Sequence, residues 1–160
     1  MLLVLAAIGL GLAAGVARAE DFDAIVTRVS DGDSVRVRPL DGGPPRLLRL
    51  VGMDAPERCQ AYGAQARAAL ARQVLWRPVR VQAGARDRYQ RELARLGTPD
   101  IPDLNAWMVA QGHAWSYRLR DDPGPYARQE AQARQEGRGL WAQPSPQEPR
   151  VFRRAHGPCH

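Results

Sequence analysis

The sequence predicts one α+β domain, mainly β, in which five strands form a small Greek-key barrel accompanied by about three helices. Three observations lead to this fold class. Short runs of alternating apolar and polar residues recur through the first hundred residues, a helical period separates the third run from the fourth, and two more helical segments follow. This order is typical of the OB-type barrel, which commonly binds oligonucleotides on one face.

The strands are predicted from period-two alternation and from the turn residues that separate the runs. They cover residues 22–30, 35–37, 47–51, 79–83 and 89–96. In the third run Leu48 and Leu50 alternate with Arg49, so we expect Arg49 to lean inward among aliphatic side chains. A cation in such surroundings needs an anionic partner.

Three helices are predicted from apolar residues at helical spacing and from the residues that begin and end each segment. The first covers residues 63–75, and the second follows Asp103 and ends at Gly112. The third opens near Pro123 and ends at Gly137. Residues 143–160 contain several prolines and predict an extended C-terminal tail.

The charge balance indicates an anionic partner. The chain has 160 residues, and its 23 basic residues exceed its 17 acidic residues, which gives a net charge of +6 and a pI near 10.3. All of the basic residues are arginine. A positive field attracts polyanions such as nucleic acids or an anionic membrane surface. An apolar content of 44% excludes a generally disordered chain.

Residues 1–19 are typical of a secretory signal peptide. An uncharged apolar run ends in Ala17-Arg18-Ala19, which fits a cleavage site of small residues before Glu20. We therefore expect a secreted or periplasmic protein without stable membrane insertion. A membrane anchor is the alternative, although the run is short for a span.

Two cysteines, Cys59 and Cys159, follow the predicted cleavage site. In an exported protein such a pair favours a disulfide, which would close a loop of about 100 residues. Two free thiols are the alternative.

Three charged patches lie at the edges of predicted strands: residues 31–34 (Asp-Gly-Asp-Ser), 49–57 and 87–91 (Asp-Arg-Tyr-Gln-Arg). Taken singly, each has an ordinary structural explanation, such as an Asx turn, a helix N-terminal acid or a cross-strand ion pair. Carboxylates can also hold a hard divalent cation, and arginines can bind phosphate oxygens through their planar fork. A site with both kinds of group is suited to breaking a phosphodiester bond.

Together the patches resemble the signature of the staphylococcal nuclease (thermonuclease) family. That signature runs Asp-Gly-Asp-Thr, then Arg-Leu with Asp-x-Pro-Glu, then Asp-Lys/Arg-Tyr-Gly-Arg. The spacing from Arg49 to Asp54 to Glu57 agrees residue for residue, and the resemblance extends over about residues 25–141. It implies an SNase-like nuclease domain at residues 20–142.

The resemblance also implies how the acidic residues act. Asp33 and Asp54, with the backbone carbonyl of Ala55, would hold a calcium ion as cofactor. Glu57 would be the general base that activates the attacking water.

The basic and aromatic residues would bind the substrate, which the resemblance gives as DNA and RNA cleaved to 3′-phosphate and 5′-hydroxyl ends. Arg49 and Arg91 would hold the scissile phosphate. Arg88 and Tyr89 would contact a neighbouring phosphate, and Tyr117 lies near nucleotide-contacting tyrosines of the family. We expect a monomer.

Three residues depart from the family pattern: Ser34 and Ala55 replace threonines, and Gln90 replaces a glycine. Serine keeps the hydroxyl group, and alanine keeps a backbone carbonyl as a metal ligand. The bend at residue 90 must accommodate a side chain. The alternative function is a non-catalytic nucleic-acid-binding OB-fold module, and a weaker alternative is an envelope accessory protein that kept the fold.

Overall fold

The computed structural model describes residues 20–157 and residue 159, so the predicted signal peptide lies outside the described residues. The strands are β1 (Glu20–Asp31), β2 (Ser34–Pro39), β3 (Arg46–Leu50), β4 (Met53–Asp54), β5 (Pro78–Arg86), β6 (Glu92–Gly97) and β7 (Trp115–Ser116). Five of them close a barrel in the order β1-β2-β3-β6-β5. Among the barrel strands of the described residues, β3 and β6 alone pair in parallel. The predicted five-stranded barrel is confirmed. The short strands β4 and β7 form a separate pair beside it.

Within the described part of the chain, four α-helices accompany the barrel, together with one turn of 3-10 helix at Gly139–Ala142. They are α1 (Gly63–Val74), α2 (Leu104–Ala110), α3 (Ala127–Gln135) and α4 (Pro149–His156). The side chain of Asp103 caps α2 by accepting the backbone N–H of Ala106. The first three helices fall where the sequence predicted helices.

Helix α4 lies in the segment predicted to be extended, so that prediction was wrong for residues 149–156. Pro149 occupies the start of the helix, where the missing N–H costs nothing and the fixed φ favours helix formation. Of the prolines that indicated an extended tail, Pro144 and Pro146 precede the helix, and Pro149 is its first residue.

Strand β3 separates the core from the functional side of the barrel. Leu48 and Leu50 are fully buried, whereas Leu47 is 45% exposed. Because successive side chains of a strand point to opposite faces, Arg49 shares the outer face with Leu47. The inward orientation predicted for Arg49 was wrong, but its need for an anionic partner is met on the outer face, as described below.

The fifth barrel strand begins at Glu92, three residues later than predicted, because residues 87–90 form a turn. Asp87 accepts the backbone N–H of Gln90 at 3.0 Å through its carbonyl and donates its own to Arg91 at 2.9 Å. Arg91 consequently stands between the turn and the strand rather than within the strand.

The C-terminal tail folds back onto the barrel. Cys59 and Cys159 form a disulfide with a Cα–Cα distance of 5.7 Å. The side-chain amide of Gln60 donates to the carbonyl of Gln147 at 2.7 Å, and Arg118 pairs with Glu148 at 3.0 Å. Within residues 20–157 and 159, no helix has the length and apolar character needed to cross a bilayer.

A half-buried histidine beside α1 predicts a pH dependence of stability. The hydroxyl of Tyr62 and Nδ1 of His113 lie 3.0 Å apart, and burial, with a smaller contribution from Arg72, lowers the pKa of His113 to about 4. As the pH falls, the unfolded chain therefore protonates this residue first. We expect the free energy of unfolding to decrease between pH 6.5 and about 4, by about 1–2 kcal/mol because the ring is partly exposed.

This is measured by urea unfolding of the wild type and His113→Gln across that pH range. The wild type should lose stability relative to the variant as the pH falls. Parallel stability curves for the two proteins would contradict the expected contribution.

Candidate active site

Asp33 lies in the tight turn between β1 and β2 and is 2% exposed. Gly32 allows this turn to pack closely, because a Cβ at that position would lie 2.6 Å from Cβ of Ala55 and 3.0 Å from that of Ala66. The first charged patch is thereby held against the residue that follows Asp54.

The carboxylate of Asp33 is the centre of a hydrogen-bond network. Oδ2 accepts the backbone N–H of Ala55 at 2.9 Å, and Oδ1 accepts the hydroxyl of Ser34 at 3.1 Å. Oδ1 also pairs with Nη1 of Arg49, whose Nη2 donates to Oδ1 of Asp54 at 2.8 Å. One guanidinium group therefore bridges the two carboxylates among the predicted metal ligands.

This pairing opposes the cost of burying charge. Burial raises the pKa of Asp33 well above its ordinary value, against the attraction of Arg49, and Asp31 and Asp54 add to the rise. Burial lowers the pKa of Arg49, but Asp33 and Asp54 outweigh it and give a net rise. Arg49 thus stays protonated at physiological pH and provides a fixed positive charge on the outer face of the barrel.

Glu57 follows β4 in a loop fixed by Gln60, whose side-chain oxygen accepts the backbone N–H of Glu57 at 3.1 Å. The side chain of Glu57 is 20% exposed, and its carboxylate pairs with Arg153 of α4 at 2.7 Å. Nη1 of Arg153 also donates to Oδ1 of Asp54 at 3.1 Å, and Nη2 donates to Oδ2 at 2.9 Å. Burial works against the charge of Arg153, but the bonds to Asp54 and Glu57 raise its pKa.

Arg153 was not predicted as a site residue from the sequence. Its only signal in the sequence is the cysteine pair, because Cys59 stands two residues after Glu57 and a disulfide to Cys159 brings the tail to the same place.

Arg91 reaches the site from the turn before β6. Its Nε donates to Oδ2 of Asp87 at 2.8 Å, and its Nη1 donates to the hydroxyl of Ser34 at 3.2 Å. Because Ser34 also donates to Asp33, the two arginines Arg49 and Arg91 are connected through Ser34 and Asp33. The hydroxyl group that serine keeps at residue 34 therefore donates to Asp33 and accepts from Arg91.

Gln90 has a left-handed backbone conformation, with a φ of 63°. This explains why glycine suits the position, since a side chain is unfavourable there. We expect Gln90→Gly to raise the free energy of unfolding by about 0.5–1 kcal/mol. Gln143, with a φ of −87°, is the matched control, and Gln143→Gly should lower stability in the same urea titration. A lower stability for Gln90→Gly would contradict this account of the bend.

The three predicted substrate-contact residues lie on the rim of the site. Tyr89 is 63% exposed, with the guanidinium of Arg88 4.8 Å from its ring centroid and that of Arg91 at 5.4 Å. Tyr117 is 44% exposed and borders, with Asp54, a cavity of about 20 Å³ at the start of α4. The structure therefore places Arg88 and Tyr89 beside Arg91, and Tyr117 on the side of Asp54.

The predicted metal ligands provide oxygen atoms only, which suits a hard cation such as calcium. In the part of the chain from residue 20 to 157, with residue 159, no three His, Cys, Asp or Glu side chains are grouped as a metal site. Asp33 and Asp54 nevertheless share the guanidinium of Arg49, and Asp54 and Glu57 share that of Arg153. Carboxylates that already converge on common cations fit a cation site.

Known proteins are similar to this chain over most of its length. The family model described as "Staphylococcal nuclease homologue" matches residues 47–143, which is more than half of the chain. The chain belongs to the staphylococcal nuclease family. It is 36% identical over 145 residues to micrococcal nuclease of Shigella flexneri, covering 84% of this chain and 82% of that protein.

Two further relatives are similar to this chain over most of its length. Protein ParB of Escherichia coli is 41% identical over 140 residues, covering 81% of this chain and 77% of that protein. An uncharacterized endonuclease of Haemophilus influenzae is 36% identical over 129 residues, covering 81% and 71%. Membership in this family makes the chain a hydrolase of the nuclease class.

The family match includes Arg49, Asp54, Glu57 and Arg91. Arg153 lies beyond it, in a tail that the matched span does not reach.

Proposed function

We propose that this chain is an exported, calcium-dependent nuclease that hydrolyses phosphodiester bonds of DNA and RNA with low sequence preference. The observation that carries the proposal is the connected set Arg91–Ser34–Asp33–Arg49–Asp54 on the outer face of the barrel. It combines fixed positive charge with carboxylates at the place where the family signature predicts them.

The proposed reaction is attack of water on phosphorus. The carboxylate of Glu57 takes a proton from the attacking water, and the oxygen of that water forms a bond to phosphorus. The bond from phosphorus to O5′ breaks, and O5′ takes a proton from solvent. Negative charge builds on the phosphate oxygens, where preorganised cations lower its energy. Arg49 and Arg91 supply bidentate donors for these oxygens.

Asp33, Asp54 and the carbonyl of Ala55 would hold calcium, which supplies further positive charge against the phosphate. The low sequence preference follows from the chemistry of the residues, because phosphate contacts position a nucleic acid without reading its bases. Stacking on the exposed rings of Tyr89 and Tyr117 tolerates any base.

Incubation of single-stranded DNA with the purified protein, in calcium or in excess chelator, tests this function on a denaturing and a native gel. Calcium-dependent shortening of the DNA is expected. A retarded but intact band would favour the non-catalytic binding module, and no effect on DNA or RNA would favour the accessory role.

Arg91→Ala should lower turnover by about 10²–10³-fold without unfolding the protein. Arg91 is 27% exposed and its ion-pair partner Asp87 is 18% exposed, so solvent can compensate for the lost pair. Arg88→Ala, on the rim, is the control, and its effect should be smaller and mainly on KM. Steady-state cleavage of a labelled oligonucleotide measures both, and near-wild-type turnover for Arg91→Ala would contradict the assignment.

Export is proposed from the leader-like residues 1–19 and is supported by the disulfide, since disulfides persist mainly in oxidising compartments. N-terminal sequencing of the protein from an expressing cell's periplasm or medium should begin at Glu20. Recovery of only the uncleaved protein in the cytoplasm would contradict export.

A further inference from the structure

The C-terminal tail carries a cation into the candidate metal site. The guanidinium of Arg153 engages both carboxylate oxygens of Asp54, at 3.1 and 2.9 Å, and Oε1 of Glu57 at 2.7 Å. Asp54 is 5% exposed, so few other donors can reach it. These contacts join residues 96 and 99 positions apart in the sequence.

A guanidinium in this position and a divalent cation need the same lone pairs. Oδ1 of Asp54 accepts from Arg49 and from Arg153, and Oδ2 accepts from Arg153, so three of the roughly four lone-pair sites of this carboxylate are occupied. The guanidinium of Arg153 and a divalent cation bound to the same buried carboxylate would also repel each other. A divalent cation can therefore use the oxygens of Asp54 fully only when Arg153 withdraws.

The tail is held so that Arg153 remains nearby. The disulfide fixes Cys159 to Cys59, and the carbonyl of Gln147 accepts from Gln60. These tethers lie on either side of α4 in the sequence, so the helix cannot diffuse away from the barrel. A tethered ligand has a high effective concentration at its site.

We propose that Arg153 is an internal cation that occupies the candidate metal site and weakens its affinity for calcium. The inference rests on the metal-binding role proposed for Asp54, and it adds a competitor from outside the family match. The nuclease would then work only where free calcium is high enough to displace the arginine.

Isothermal titration of calcium into the purified, disulfide-bonded protein without nucleic acid tests the proposal. Arg153→Gln should lower the Kd for calcium at least tenfold. Arg154→Gln is the matched control, because Arg154 is an exposed neighbour on the same helix, and its Kd should stay within about twofold of the wild type. An unchanged or raised Kd for Arg153→Gln would overturn the proposal, and so would an absence of calcium binding by both the wild type and Arg153→Gln.

A second variant releases the tail without changing the carboxylates or Arg153. Cys59→Ser/Cys159→Ser should also lower the Kd for calcium, by less than Arg153→Gln does, because the arginine loses only its tether. An unchanged Kd in this variant would contradict the role given to the tether.

The calcium titration and the DNA gel test the two proposals separately. Calcium-dependent cleavage by the wild type with no gain in calcium affinity for Arg153→Gln would leave the proposed function standing and remove the competition. A gain in affinity without cleavage of DNA or RNA would do the reverse.

Discussion

Glu57→Gln should lower kcat for single-stranded DNA by about 10²–10⁴-fold. The amide has nearly the same shape as the carboxylate but cannot accept a proton from water at neutral pH. Its oxygen can still accept from Arg153, as Oε1 of Glu57 does at 2.7 Å, so the loop should keep its position. The loss should therefore appear in kcat rather than in folding.

Steady-state cleavage in calcium, accompanied by thermal unfolding, measures both properties. Glu136→Gln is a suitable control, since Glu136 is a partly exposed carboxylate on α3's C-terminal side, paired with Arg138. A Glu57→Gln protein that is folded and cleaves DNA at the wild-type rate would remove Glu57 from the proposed chemistry.

Arg49→Ala should inactivate the protein and should also lower its free energy of unfolding by about 3–5 kcal/mol. The side chain of Arg49 is 17% exposed, and that of its partner Asp33 is 2% exposed. Removing the guanidinium leaves a buried carboxylate with Ser34 and the N–H of Ala55 as its remaining donors. The variant thus tests the position of Arg49 as a bridge between Asp33 and Asp54.

Urea unfolding measures this loss, with Arg36→Ala as the control. Arg36 is exposed on the adjacent strand β2, and its replacement should change stability by no more than about 0.5 kcal/mol. If Arg49→Ala is as stable as Arg36→Ala, Arg49 does not balance the buried charge of Asp33. Arg91→Ala remains the cleaner test of phosphate binding, because its ion pair is more exposed.

Local sequence patterns predicted most of the barrel and most of the site. Strand alternation placed Leu48 and Leu50 on one face of β3 and Arg49 on the other. Motif spacing identified Arg49, Asp54 and Glu57, because β3, β4 and the following loop bring them together over a short stretch. Asp33 and Arg91 come from distant segments, and their proximity follows from the pairing of β2 and β6 with β3. The family resemblance assigned Asp33 and Arg91 to one site without giving that pairing.

Features that depend on long-range packing were not predicted. Arg153 reaches Glu57 across 96 residues of sequence, and no local periodicity encodes such a contact. The outward orientation of Arg49 was missed for a related reason: alternation separates two faces of a strand but does not say which face is the core when both carry aliphatic residues. The segment before α4 was predicted to be extended because of its prolines, but proline also favours the first position of a helix, which Pro149 occupies.

At this site we expect water to attack phosphorus and to leave the phosphate on the 3′ side. Cleavage of a DNA oligonucleotide in H₂¹⁸O with calcium, followed by mass spectrometry of the products, tests it most directly. We predict one ¹⁸O atom in each new 3′-phosphate and an unlabelled 5′-hydroxyl end. Label in a 5′-phosphate, or no cleavage by the folded, calcium-supplied protein, would contradict the account.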